Sequence, residues 1–311
     1  MIEVEHLKKI YGSTVAISDV HFSVEKGEIL GFLGPNGAGK TTTMRILSGY
    51  IPASSGTARI AGYDVHEDSM HVRRHIGYLP ENPPLYEYMT VESYLHFVSS
   101  IKGMAYGDRT LAVTNALKRT GLAEKTQVII SKLSKGYRQR VGLAQAIVHS
   151  PEVVILDEPT IGLDPKQIIE VRNLIKSLAG EHTVLLSSHI LPEVSMTCDR
   201  VSIINQGRVI ITDKPDNLMD QMLPVNIYRL VVEGDVVSLK SRLESLDGVN
   251  KVEIIPSDSR CILEISSSDK YDHLAKDLSR MVINSGVDLY EMRHTRPTLE
   301  EVFLKLTTQE Q

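Results

Sequence analysis

The chain has 311 residues, room for two domains or one large one, and its 42% hydrophobic and 23% charged content leaves a core to bury. A net charge of −5 argues against a protein built to coat nucleic acid, so no nucleic-acid partner is expected. Its two cysteines, Cys198 and Cys261, lie far apart in sequence, which argues against a disulfide or zinc framework and fits a reducing compartment. The start, Met1-Ile-Glu-Val-Glu5, lacks the basic end and apolar run of a secretion signal. No apolar stretch approaches the ~20 residues that cross a bilayer. The expectation is a cytoplasmic protein that meets a membrane only through a partner.

Short apolar runs alternate with helical patterns as far as about residue 215, the mark of an α/β fold. Strands are expected at 20–24, 29–33, 153–156, 183–186 and 201–204. The run 153–156 has no polar alternation, as suits a parallel strand buried on both faces. The strand at 29–33 runs into Gly34-Pro35-Asn36-Gly37-Ala38-Gly39-Lys40-Thr41-Thr42, and a helical segment follows. This is the phosphate loop G-x-x-x-x-G-K-S/T in its strand–loop–helix setting. Glycines let successive N–H groups turn toward phosphate oxygens, and the helix adds the positive end of its dipole. Lys40 can reach the β- and γ-phosphates and the Thr41 hydroxyl can join a Mg²⁺ shell. A nucleoside triphosphate is therefore the expected ligand.

Between 88 and 150 the pattern turns helical, with Val91, Tyr94, Leu95 and Val98 on one face, and reads as a helical subdomain inserted into the sheet fold. The strand at 153–156 then ends in Asp157 and Glu158. An acid at this position holds Mg²⁺ in P-loop NTPases, and the next carboxylate can polarise a water on the far side of the γ-phosphate. Asn205-Gln206-Gly207 reads as a turn between two terminal strands. A second unit begins near Pro224 with expected strands at 227–233, 252–255, 261–265 and 287–292. Helices carrying Val236, Leu239 and Leu243, then Leu274, Leu278 and Met281, separate them in the order β-α-β-β-α-β of a ferredoxin-like fold. Thr298 and Glu301 form a capping box that opens a last helix. The expected domains are 1–220 and 225–307.

The set Gly34 to Thr42, Leu133-Ser-Lys-Gly-Tyr-Arg-Gln-Arg140, Leu156-Asp-Glu-Pro-Thr160, Gly162-Leu-Asp-Pro165 and Ser187-Ser-His189 resembles the nucleotide-binding domain of ATP-binding cassette (ABC) proteins. All motifs stand in family order between the start of the chain and about residue 215. The resemblance implies a P-loop NTPase of the ABC type, with ATP and Mg²⁺ as its ligands. It implies that Glu158 and His189 serve hydrolysis and that Tyr11 stacks on adenine. Ser134 and Gly136 correspond to the signature loop that closes over ATP held by another subunit, so a head-to-tail homodimer with two sandwiched nucleotides follows. Lys135 and Tyr137 depart from the usual L-S-G-G-Q, and the segment 138–148 that follows is expected to be a helix. Asp164 corresponds to a residue that communicates across such a dimer.

Glu81 stands where the family has a glutamine that touches Mg²⁺ and the attacking water. A carboxylate can still ligate the metal, but it adds negative charge and cannot donate a hydrogen bond. Leu85, Tyr86, Tyr88 and Met89 follow in a Pro-rich loop where the family receives a permease helix, and they are expected to be exposed. Segments 78–86 and 296–307 resemble the ATPases of two-component export systems, of the drug-resistance and gliding-motility group. The resemblance therefore implies an integral-membrane permease as a separate subunit. The alternative is a soluble ABC ATPase acting on a non-transport assembly.

Overall fold

The computed structural model describes residues 1–222, 226–256, 260–267, 274–295 and Phe303. The expected capping box at Thr298 and Glu301 lies outside them. The chain divides into two compact units, Met1–Pro215 and Asp216–Gln311.

The first unit holds ten strands: β1 (Ile2–Tyr11), β2 (Thr14–Val24), β3 (Ile29–Leu33), β4 (Ser55–Ile60), β5 (Tyr63–Asp64), β6 (Ile76–Leu79), β7 (Val153–Asp157), β8 (Thr183–Ser188), β9 (Arg200–Asn205) and β10 (Arg208–Asp213). They form one sheet in the order β5-β4-β1-β2-β10-β9-β3-β8-β7-β6. From β9 to β6 every neighbouring pair is parallel. Every residue of β3, β7 and β8 is buried, which explains their continuous apolar sequences. All three strands point the same way, so their C-terminal ends share one edge of the sheet, where open α/β sheets hold ligands.

The antiparallel end, in which β1 pairs with both β2 and β4, was not foreseen from the sequence. Ile2 and Val4 are buried and alternate with Glu3 and Glu5, but the register shifts before Leu7 and His6 takes φ 48°. That bulge breaks the period-2 signal. It also explains Gly56, where a Cβ would lie 2.2 Å from the His6 carbonyl oxygen. Phe22 of β2 meets Phe32 of β3 at 5.1 Å within one core.

Helices of this unit are α1 (Lys40–Leu47), α2 (Ser69–His75), α3 (Val91–Ile101), α4 (Tyr106–Arg119), α5 (Lys135–Ile147), α6 (Pro165–Leu178) and α7 (Leu191–Thr197). Thr90 caps α3 by accepting the Ser93 N–H at 3.2 Å, and Val91, Tyr94, Leu95 and Val98 are buried as their spacing requires. Helices α3, α4 and α5 pack together as the helical part of the unit.

In the second unit α8 (Pro215–Met222) precedes β11 (Asn226–Glu233), α9 (Val236–Leu243), β12 (Val249–Pro256), β13 (Cys261–Ser267), α10 (Leu274–Ser285) and β14 (Asp288–Thr295). The sheet order is β12-β13-β11-β14, with every neighbouring pair antiparallel. Leu239 and Leu243 of α9 and Leu278 and Val282 of α10 share one core with Leu230, Leu263 and Ile265.

Candidate functional site

The loop between β3 and α1 is shaped by close backbone approach. A Cβ on Gly34 would lie 2.4 Å from the Ile204 carbonyl oxygen, so only glycine fits. Gly39 has φ 106° and its Cβ would lie 2.9 Å from the Ala16 carbonyl oxygen. The far side is tied to the β9–β10 turn, where the Gly207 N–H donates to the Ala38 carbonyl at 3.0 Å. Pro35 is half-buried, while Asn36 and Gly37 are exposed at the rim. Gly39 is the N-cap of α1 and offers no side-chain acceptor, so the first amides of the helix stay available to an anion.

Lys40 is buried at the base of this loop. Its Nζ donates to the Gly34 carbonyl at 2.7 Å and to the Pro35 carbonyl at 3.2 Å, and lies 3.4 Å from Glu158 Oε1. Thr41, half-buried like Thr42, donates through Oγ1 to Asp157 Oδ1 at 3.3 Å. Asp157 ends β7 and is wholly buried, and Oδ1 also accepts the Ser187 hydroxyl at 2.6 Å. Burial pushes the Asp157 carboxyl above its ordinary range, against the two hydrogen bonds that favour its charged form. Glu158 and Glu81 add negative charge in the same direction.

Glu158 sits at φ 49°, a left-handed conformation uncommon for a residue with a side chain. Its N–H donates to Ser187 Oγ at 3.0 Å, and the same hydroxyl holds Asp157. Glu158 Oε2 lies 2.8 Å from Nδ1 of His189, whose side chain is 38% exposed. A connected set results: the Lys40 ammonium, the Glu158 carboxylate and the His189 imidazole, spanning the ends of β3, β7 and β8. Such a set can bind a polyphosphate and fix a water against its terminal phosphorus.

Further partners of the site are joined across the sequence. Ser187 belongs to a motif, but its bridge between Asp157 and Glu158 is visible only in the fold. Thr160 donates to Glu193 Oε2 at 2.6 Å, and both residues are buried. Glu193 stands on α7 with no motif of its own, so no signal marked it.

Other expected residues lie elsewhere. The helix expected at 138–148 begins earlier, at Lys135, because Ser134 acts as N-cap and accepts the Tyr137 N–H at 3.5 Å. Gly136 falls in the first turn, where a Cβ would lie 2.5 Å from the Gln167 side chain on α6. Asp164 caps α6 by accepting the Gln167 N–H at 2.9 Å. Tyr11, at the end of β1, is 46% exposed, with Lys9 Nζ 5.0 Å from its ring centre. In the Pro-rich loop Tyr86 and Tyr88 are exposed, but Leu85 and Met89 are half-buried. Met89 is drawn in because its carbonyl accepts the Ile130 N–H at 3.0 Å.

Comparison with known proteins then decides the family. The family described as ABC transporter matches residues 17–161. The bacitracin transport ATP-binding protein BcrA of Bacillus licheniformis is 34% identical over 310 residues, covering 98% of this chain and 97% of that protein. The chain belongs to the ABC transporter ATP-binding proteins. The linearmycin resistance ATP-binding protein LnrL of Bacillus subtilis is 31% identical over 308 residues, 99% of this chain and 98% of its own. A solved ATP-binding subunit of an ABC transporter superposes with TM-score 0.66 at 31% identity, over 71% of this chain and 92% of its own. The chain is thus an ABC ATPase with homologues named for resistance and transport. Among the described residues no helix is long and apolar enough to cross a membrane.

The same ABC site bears on the metal that such ATPases employ. Asp157 Oδ2 is buried with no hydrogen-bond partner, while its other oxygen stands beside the Thr41 hydroxyl. An anionic oxygen left unpaired beside a hydroxyl suits a hard divalent cation that takes its remaining ligands from phosphates and water.

Proposed function

We propose that this chain is the ATP-hydrolysing subunit of an exporter, pairing head-to-tail with a second copy and driving a separate integral-membrane permease. The observation that carries the reading is the Lys40–Glu158–His189 set at the shared edge of β3, β7 and β8. The phosphate loop, Gly34 to Thr42, binds the polyphosphate through backbone amides, and Lys40 neutralises its charge. Tyr11 offers an exposed ring for the adenine. Thr41, Asp157 and Glu81 would hold Mg²⁺, which would neutralise phosphate charge when bound. Glu158 orients and polarises the attacking water, and its contact with His189 keeps both side chains aimed at the same point. Ser134 and Gly136 present the start of α5 to the nucleotide of the second copy. The second unit is a ferredoxin-like accessory domain. Export as the direction is supported by the resistance and transport systems in which the relatives are named; in this reading the chain works on the cytoplasmic face of the membrane, where ATP is supplied.

The test is purification of the Glu158→Gln variant from detergent-solubilised membranes with ATP and Mg²⁺. Arrest before hydrolysis holds the closed dimer, and mass spectrometry of the eluate is expected to find a polytopic membrane protein in near-equal amount. Recovery from the soluble fraction alone, with components of a non-transport assembly, would overturn the reading.

A further inference from the structure

Glu158 is held in a backbone conformation that only its surroundings can maintain. On one side the restraint is Ser187, whose hydroxyl and carbonyl accept the Glu158 N–H at 3.0 and 3.2 Å. On the other side the chain turns back at once, with the Ile161 N–H donating to the Glu158 carbonyl at 3.2 Å. Two residues after Glu158, the Thr160 hydroxyl donates to Glu193 at 2.6 Å in a buried setting. Glu193 itself stands on firm ground. The next residue, Val194, is fully buried and packed so tightly on β3 that a Cβ at Gly31 would lie 2.4 Å from it. Helix α7 also begins just after His189, whose imidazole meets Glu158 at 2.8 Å. The turn bearing Glu158 and the segment bearing His189 are therefore joined twice, by the site contact and by a buried bond behind it.

A buried carboxylate is costly unless it receives a strong hydrogen bond, and a core position beside another acid is a poor place for one used only as filler. We propose that Glu193 is a positioning residue: through Thr160 it holds the turn 158–160, so that Glu158 keeps its left-handed backbone and its approach to His189. The bond sets the distance between the two side chains at the γ-phosphate rather than touching the nucleotide. Nucleotide binding, made by the phosphate loop on the other side of β3, is left to other residues. The proposal rests on Glu158 being the residue that orients the water.

The experiment is steady-state ATP hydrolysis by the purified full chain, with nucleotide affinity measured by titration of a fluorescent ATP analogue. Thr160→Val removes the donor while keeping the shape, and is expected to lower kcat about tenfold or more with KM and affinity changed less than about twofold. Thr160→Ser and Glu193→Gln, which retain a donor and an acceptor, are expected to recover most of the rate. Should Thr160→Val fail to fold, Glu193→Leu breaks the same bond from the other end. A Thr160→Val enzyme at the normal kcat overturns the proposal, as does a rate loss matched by an equal loss of affinity or one that Thr160→Ser does not repair. Glu158→Gln separates the two claims. Normal turnover there overturns the role of Glu158 and the proposal with it, whereas a dead Glu158→Gln beside a normal Thr160→Val overturns the proposal alone.

Discussion

Two helix N-termini in this chain offer backbone amides to an anion, and they are built differently. Helix α1 is capped by Gly39, which leaves its amides open, and Lys40, Thr41, Asp157 and Glu158 of the same chain gather around that end. Helix α5 is capped by Ser134, whose hydroxyl already reaches the Tyr137 amide, although at 3.5 Å. Around its first turn stand Gln167 against Gly136, and Arg138 near Glu87 at 3.8 Å. Only the first is surrounded by the acids and base that phosphate chemistry requires. The contrast teaches that α1 gathers open amides, acids and a base within one chain, while α5 begins with a capped turn without them; in the proposed head-to-tail pair that turn faces the nucleotide of the second copy.

The sharpest way to break this contrast is at Lys40. Lys40→Ala removes the cation from the α1 end and leaves the Gly34 carbonyl and Glu158 without it. Hydrolysis by the purified chain is expected to fall by about 10²-fold or more, and ATP affinity should fall as well. If backbone amides alone sufficed, titration with ATP would show normal binding. At the other end, Ser134→Ala should leave ATP binding by a single chain unchanged. In a Glu158→Gln background it is expected to weaken ATP-dependent dimerisation about tenfold, read by sedimentation at several protein concentrations. The lost cap costs about 0.5 kcal/mol of stability, the low end for such residues because the bond is long. Equal loss of binding in the monomer would make α5 part of the same site as α1.

The two ends also differ in how far the sequence disclosed them. The α1 site was legible because its requirements are local: glycines for a tight loop, a lysine and a threonine directly after them, and apolar strands ending in carboxylates. The expected strands at 29–33 and 153–156 match β3 and β7 to within one residue. What stayed hidden depends on contacts distant in sequence. Ser187 bridging Asp157 and Glu158, and Thr160 paired with Glu193, join residues about thirty positions apart. The strand expected at 20–24 is the second half of β2, whereas β1, β4 and their antiparallel pairing were not legible; in β1 the bulge at His6 interrupts the alternation. For α5 the sequence suggested a helix start at Arg138, whereas a serine cap begins it three residues sooner.

A smaller effect tests the far end of α5. His149 follows that helix, and its Nε2 lies 3.0 Å from the Ile76 carbonyl oxygen. Burial, helped by the nearby Lys102 charge, pulls its pKa down from 6.5 to about 4. A folded-state pKa below the unfolded one means that the unfolded chain takes up the proton first. The contribution of His149 to stability is therefore complete above pH 6.5 and is lost as pH falls through 4. His149→Gln, which keeps a donor for Ile76, should make the acid limb of stability shallower by about 1 kcal/mol near pH 5, allowing for partial exposure. Urea unfolding at neutral pH and at pH 5 measures it. Unchanged ATP affinity in the variant would keep the stability of α5 separate from the α1 site.

The finest test lies between the two ends, at Glu81. Its carboxylate acts on Asp157 at the α1 site, while the segment just before and after it rests on α5. Gln145 of α5 donates to the Tyr78 carbonyl, and a Cβ at Gly142 would lie 2.6 Å from Leu79 and 3.1 Å from Pro83. The segment around position 81 therefore acts on the α1 end electrostatically and on the later turns of α5 through packing. Glu81→Gln keeps the packing and removes the charge. With one fewer acid beside Asp157, the apparent Mg²⁺ requirement is expected to rise a few-fold, about 1 kcal/mol or less, while ATP-dependent dimerisation stays as it was. Hydrolysis measured across Mg²⁺ concentrations decides the first point. A change in dimerisation without one in Mg²⁺ dependence would mean that Glu81 serves α5 through the loop that carries it, and that the two helix ends are linked by packing instead of by charge.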